Sequence, residues 1–473
     1  MHTSSGSARR PARPVVHRLT RRGRGPAWPA TGRRARSRAT TMVIFGAALS
    51  AAAAGCSGGD LAQPAQPAYH GPVVTIRVAM YGQPGYQRGG VYTAFERLHP
   101  GIHVVEDTTA AEGAYWQSTR RQLASGQEPG DLIAIPIGEM AGTVARDARQ
   151  LVPLNSLGGA TGSVSQFEDQ WLPWIWKPAS NAGRDYAVGA ETGPLAMCYR
   201  PMLLRQAGLA SAPAALARAW STWSGYLAYG RTFKQRIPHG PAFMDSVTSV
   251  YKAMISQAPQ QYYSAGGKLV AAHSPAVKNA WNTAVQATRD QLAGRFPALT
   301  PAWDTAVTRV SFATGVCAPW MLNTIEKLSG TGGSGTWAVA GVPGGTGNWD
   351  GFYLAIPRSS THQQAAYQLA MYLTGQQAGV PLARAGGFPA SSPAINAVAG
   401  VTSPYFTGSP IGKIFGIAAD RMPQAPGGPA VDAVAADFAA GIARVEGGVS
   451  PATAWAHAQH RAAAAARASH TSG

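Results

Sequence analysis

The chain carries many side chains that could grip an organic solute and few that could break one. No C-x-x-C or H-E-x-x-H occurs, so the spacings for thiol exchange or a zinc hydrolase are missing. Gly330-Thr331-Gly332-Gly333-Ser334-Gly335 fits G-x-G-x-x-G. A strand pattern follows it rather than a helix, so it cannot present a helix N-terminus to phosphate and reads as a turn. Glycoside hydrolysis needs two carboxyls roughly 5–10 Å apart, and the 22 acids include no pair in a recognisable motif. The histidines are scattered, which gives no metal site and no cofactor. What remains is a set of aromatic rings outside obvious core periodicity, with acids beside some of them: Trp116, Trp320, Trp349-Asp350 and Phe388, with Glu191, Asp245 and Arg384 elsewhere. Rings stack on apolar faces, and Asp, Glu, Asn or Arg bonds a polar rim. That is binding chemistry.

Cys56 offers a different chemistry. An arginine-rich stretch leads to the apolar run from Met42 to Ala54, then Gly55, Cys56 and Ser57-Gly58-Gly59. The run is short of the ~20 residues that span a bilayer, and its basic–apolar–small order reads as an export signal. Ala53-Ala54-Gly55-Cys56 resembles a bacterial lipobox, in which the signal is cut before the cysteine and the thiol is lipidated, although Ala53 stands where Leu is usual. Residues 1–55 are therefore expected to be a signal peptide and 56–72 a lipidated tether on the outer face of the cell membrane. Arg21-Arg22 and Arg33-Arg34 lack the Phe-Leu pattern of a twin-arginine signal, which leaves general secretion. Eleven arginines and no acid lie in the first 55 residues, so the formal charge of +18 falls to +7 beyond them. With the remaining cations dispersed, nucleic acid is not an expected partner. Cys198 and Cys317 remain. Export permits a disulfide, and two buried thiols acting as small hydrophobes suit the same residues.

The elements that must position these side chains alternate along the chain. Val74, Ile76, Val78 and Met80 alternate with Thr75, Arg77 and Ala79, a period of two that predicts a strand, and Tyr81 ends it where α/β sheets place ligands. Val91, Ala94, Phe95 and Leu98 then fall at helical spacing, His99-Pro100-Gly101 breaks the helix, and Ile102–Val105 resumes as a strand. Leu132-Ile133-Ala134-Ile135 suits a strand buried on both faces. Ala187-Val188, Leu195–Tyr199, Trp337–Val342 and Phe352–Ile356 are strand-like. Ser360 to Gln363 suggests a capping box, and Ser450-Pro451 a cap with Pro opening the terminal helix. The fold class is α/β.

In that order the motifs resemble the extracellular solute-binding proteins of carbohydrate ABC transporters, family 1, the maltose-binding-protein-like group. Phe95-Glu96-Arg97-Leu98-His99-Pro100-Gly101-Ile102-His103-Val104 is similar to its "F-x-x-x-hydrophobic-P-G-I-x-V". Pro129-Gly130-Asp131-Leu132, Leu151-Val152-Pro153-Leu154 and Gly183-Arg184-Asp185-Tyr186-Ala187-Val188 follow. Then come Gly266-Gly267-Lys268-Leu269, Phe312-Ala313-Thr314-Gly315-Val316-Cys317-Ala318, Val342-Pro343-Gly344-Gly345, Gly351–Pro357 and Phe388-Pro389-Ala390. Arg200 stands where the family usually has Asn, and Trp220-Ser221-Thr222-Trp223 replaces a plainer segment.

The resemblance implies a type II periplasmic-binding-protein-like fold: two lobes with a ligand cleft between them, lobe one from 73–189 and 348–380 and lobe two from 190–347 and 381–470. It implies a monomeric, lipid-anchored receptor that closes on a sugar or oligosaccharide and delivers it to the permease subunits of an ABC importer, not an enzyme. It places Trp320 where the family has a stacking Trp, Glu191 and Thr192 at the first crossing between lobes, and Trp349-Asp350 at the return crossing. Tyr81, Asp245, Trp116, Arg384 and Phe388 complete the expected ligand set. It also puts Cys198 and Cys317 in one sheet, where a bridge becomes possible. Alternatives are a secreted carbohydrate-active enzyme, a peptide binder, or a ferric-iron binder using Tyr262-Tyr263, a pair that equally suits packing beside Gly266-Gly267. Replacing Cys56 with Ser is expected to move the protein from the membrane to the soluble fraction and to remove the lipid mass. Membrane retention by the variant would reject the anchor.

Overall fold

The computed structural model describes residues 71–158, 163–423, 425–428 and 430–471. The expected export signal, Cys56 and nearly all of the tether lie outside the described residues. Among the described residues, no helix is long and apolar enough to cross a membrane.

Two sheets organise the rest. The first runs in the order β2-β1-β3-β11-β6, from β1 (Val74–Tyr81), β2 (Ile102–Thr109), β3 (Leu132–Pro136), β6 (Ala187–Pro194) and β11 (Asn348–Ala355). The second runs β10-β7-β9-β8, from β7 (Ala196–Tyr199), β8 (Ala242–Met244), β9 (Phe312–Cys317) and β10 (Ala338–Gly341). A two-strand ribbon, β4 (Ser180–Asn181) with β5 (Arg184–Asp185), stands apart. In the first sheet β1 is parallel to β2 and β3, while β11 runs antiparallel to β3 and β6. The sheet is mixed because β11 returns from the second lobe against the direction of its neighbours.

Local chemistry sets these elements. Ile76 and Val78 are fully buried, as the alternation predicts, but from Val78 to Tyr81 every residue of β1 is buried. The C-terminal half of this strand is covered on both faces, so its period of two fades. β3 is buried throughout. β2 runs four residues past Val105 and pairs with β1 along its whole length, Val74 facing Ile102 and Tyr81 facing Thr109. The capping box is only partly formed: the Ser360 hydroxyl accepts the His362 N–H at 3.1 Å, but the Gln363 amide donates to the Ser360 carbonyl. The helix therefore starts at Gln363. Pro451 opens the terminal helix, and Thr453 N–H donates to the Ser450 hydroxyl at 3.2 Å.

Hydrophobic side chains form one core under the first sheet, from Ile76 through Ala190 and again from Phe352 through Leu382. Two further cores enclose the second sheet. Arg200, only 5% exposed, stacks its guanidinium 4.0 Å from the Trp337 ring centre and donates to the Val307 carbonyl. A cation on an aromatic face is how a charge survives here without a carboxylate. Cys198 on β7 and Cys317 on β9 are joined in a disulfide with their Cα atoms 5.8 Å apart. The bridge is possible because β7 and β9 are neighbours, with Ala196 opposite Cys317 and Cys198 opposite Gly315. Of the two readings open from the sequence, the bridged one holds.

Closing so long a loop removes entropy from the unfolded chain. Substituting both cysteines with Ala is expected to lower unfolding free energy by about 2–4 kcal/mol. Denaturant titration checks this: a midpoint equal to that of the oxidised parent would show the bridge to be dispensable.

Candidate functional site

Where the chain crosses between lobes, β6 and β11 lie side by side with very little space between them. A Cβ on Gly193 would stand 1.9 Å from the Trp349 carbonyl oxygen, and one on Gly351 would stand 2.3 Å from the Glu191 carbonyl oxygen. Gly351 also has φ of +133°, which only glycine adopts readily. Asn348 ties the two crossings: its Oδ1 accepts the Gly193 N–H at 2.9 Å, and its Nδ2 donates to the Asp350 carbonyl at 2.8 Å. Pairing slips between Asn348 and Gly351, and Asp350 sits in the left-handed region at φ +69°. Such a bulge re-aims one side chain out of the ladder. Here it presents Asp350 to a cavity of about 280 Å³.

The cavity draws on both lobes. The C-terminal ends of parallel β1 and β2 deliver Tyr81, Gly82, Gln83 and Pro84, and Ala110 and Glu112. The crossings deliver Glu191, Thr192, Asp350, Gly351 and Phe352. The second lobe delivers Leu299, Trp320, Asn323 and Thr324. Trp320 is the second residue of the helix Pro319–Ser329 that follows β9, and Asn323 and Thr324 share its face at i+3 and i+4. The Trp320 ring is half-buried, its N–H 3.4 Å from the Trp349 carbonyl.

Three carboxyls face this space. Asp350 Oδ1 accepts the Gly351 N–H at 2.7 Å, and the Tyr81 hydroxyl lies 3.1 Å from it and 3.0 Å from the Gly351 carbonyl. Burial holds the Asp350 carboxyl above the usual range against these bonds. Glu191, 7% exposed, is pushed up to about 8 by burial, with the Asp350 charge adding to it. Glu112 is also raised, first by desolvation of its carboxyl at the cavity wall and then by Asp350.

The cavity thus brings together an aromatic face, carboxyls and neutral polar groups in a junction between lobes. The sequence matches the bacterial extracellular solute-binding proteins over residues 85–380. The chain belongs to that family. A crystal structure of an extracellular solute-binding protein of family 1 is 32% identical, with TM-score 0.74, covering 83% of this chain and all of that one. The galacto-N-biose/lacto-N-biose I-binding protein of the ABC transporter from Bifidobacterium longum, in complex with lacto-N-biose, is 19% identical, with TM-score 0.67 over 84% of this chain and 98% of that one. The sugar-binding protein MalE from Xanthomonas citri is 17% identical, with TM-score 0.66 over 84% and 98%. These two share the two-lobe fold. No curated protein matches significantly in sequence.

Of the ten residues expected to hold a ligand, the structure brings Tyr81, Glu191, Thr192, Trp320 and Asp350 to this cavity and places the others elsewhere. Trp116 is 5% exposed in the first core, against the inner faces of the sheet. Asp245 is 1% exposed inside lobe two, where it accepts the Ser246 and Trp303 N–H groups at 2.7 and 3.2 Å. Phe388 packs edge-on against Phe415 in a core. Arg384 is exposed beside a different surface cavity. Trp349 is partly buried, packs against the lobe-two cores and does not line this cavity. None of these five lines this cavity; they pack in cores or face other surfaces. Tyr262 and Tyr263 are buried in lobe two, and the Tyr262 hydroxyl pairs with Tyr251 at 3.2 Å, so they form no open phenolate pair.

Glu112, Gln83, Asn323 and Thr324 were missed. The strand-end rule that selects Tyr81 also reaches Gln83 and, on β2, Glu112. Helical spacing from Trp320 would have found Asn323 and Thr324. Leu299, at φ +65° on a loop, left no signal.

Glu191 and Asp245, both pushed up to about 8 in the folded protein from ordinary values of 4.5 and 3.8, bind protons more tightly folded than unfolded. Their contribution is present below about pH 4 and is lost as pH rises through about 8. The unliganded protein is expected to lose thermal stability steadily from pH 5 to 8, with a smaller loss in Glu191→Gln. A midpoint that rises over that window would contradict the assignment.

Proposed function

We propose that the protein is a monomeric receptor, tethered outside the membrane through Cys56, that captures a sugar or oligosaccharide by lobe closure and delivers it to an ABC importer. One observation carries the reading: the half-buried Trp320 ring lines a cavity whose other walls include carboxyls, Asn323, Thr324 and Tyr81. A sugar offers apolar C–H faces ringed by hydroxyls, which is the complement of that lining. The similar proteins that bind lacto-N-biose and other sugars support the same class. The crossing strands are the flexible link, and closure would bury the solute and mark the loaded state for a membrane partner.

A thermal-shift screen of mono- and oligosaccharides, polyols and peptides tests the reading, since a ligand stabilises by RT ln(1 + [L]/Kd). Sugars are expected to raise the melting temperature and to be recovered unchanged. Turnover of glycosides would favour an enzyme. Trp320→Ala is expected to weaken binding of the best sugar by roughly thirtyfold or more, as losing a buried aromatic anchor typically costs about 2 kcal/mol or more. Unchanged affinity by calorimetry would remove Trp320 from the site.

A further inference from the structure

The charges around the cavity do not balance. Glu112, Glu191 and Asp350 line it, and among the described residues no Lys, Arg or His does. Two more acids, Glu139 and Asp432, also raise Glu112. Two cations act on the group, and neither lines the cavity. Lys252, within electrostatic reach of Asp350 and Glu112, holds its Nζ 5.4 Å from the Trp349 ring centre. Arg88, which acts on Glu191, donates to the Ala385 carbonyl. Glu191 is more than nine-tenths buried and faces the cavity, and no other described side chain hydrogen-bonds its carboxyl. The Phe388 main chain supplies its one polar contact.

We propose, resting on the reading of this cleft as a sugar site, that the solute is an amino sugar: a pyranose carrying a protonated amine, bound in preference to its neutral counterparts. The ring stacks on Trp320 while the ammonium sits among Glu112, Glu191 and Asp350. An ammonium has donors only, which suits a wall of acceptors. The Trp320 face adds attraction for a cation beside it. In the empty cavity, protons stabilise the crowded carboxyls, and the groups facing them are Tyr81, Tyr86, Glu106, Glu139, Lys252, Arg88 and Asp432. A bound ammonium takes over that role. Binding therefore releases protons, whereas a neutral sugar, whose hydroxyls both donate and accept, meets these carboxyls in either protonation state.

The test is isothermal calorimetry at pH 7, in two buffers of different ionisation enthalpy, with matched probes on one skeleton. Glucosamine, galactosamine and the β-1,4-linked glucosamine disaccharide are each titrated against the N-acetylated form and the hydroxyl parent. At least one amine is expected to bind tenfold or more tightly than both counterparts, with a buffer-dependent enthalpy that reports proton release. Glu112→Gln is expected to shrink that ratio severalfold, and Glu191→Gln likewise. Neutral sugars binding as tightly as the amines, without proton release, would overturn the amine preference and leave the sugar reading standing. Binding by no member of the panel would overturn both.

Discussion

The close approach of β6 and β11 is the constraint on which the rest of the structure depends. Two glycines, Gly193 and Gly351, let the outgoing and returning crossings run within contact of each other's carbonyls. The same squeeze forces the slip in pairing between Asn348 and Gly351. That slip places Asp350 in a left-handed conformation, which Asp tolerates better than most residues. One packing requirement thus links the lobes and positions a central acid of the cavity. The Asn348 side chain, bonded to both crossings, replaces the ladder contacts that the bulge removes.

Around that junction each lobe contributes what its architecture makes available. Lobe one offers the C-terminal ends of two parallel strands, where loops leave the sheet and can carry polar groups without disturbing its core. Lobe two offers a helix that begins directly after β9. Pro319 sets the first turn, so Trp320 points back toward the crossing, where its N–H meets the Trp349 carbonyl. The Cys198–Cys317 bridge fastens β9 to β7 just before that turn, which fixes the base from which Trp320 projects. The cavity's acids are raised by burial before anything else acts on them, so the degree of enclosure sets their protonation.

Much was legible in the sequence, and for identifiable reasons. Hydrophobic period and turn chemistry are local, so β1, the helix Val91–Leu98, β3 and the opening of the terminal helix could be read directly. The ordered motifs from Phe95 to Phe388 carried the family and with it the two-lobe fold. Tyr81, Trp320, Glu191, Thr192 and Asp350 could be named because each lies at a strand end or at a crossing, positions that chain order marks.

Which way a side chain faces was settled only by tertiary contacts. Trp349 and Asp350 are neighbours in sequence and equally plausible as ligands, yet at a bulge between strands some 155 residues apart only Asp350 lines the cavity. Asp245, Trp116 and Phe388 looked available because polarity and aromaticity say nothing about what covers them, and distant elements cover all three. The sequence left the cysteine pair undecided, since oxidation requires two strands to be adjacent and adjacency is a property of the sheet. By itself the sequence determined the elements, their order and the family. The fold alone decided which acids share a cavity, because burial and electrostatic coupling depend on distances through space that no spacing along the chain encodes.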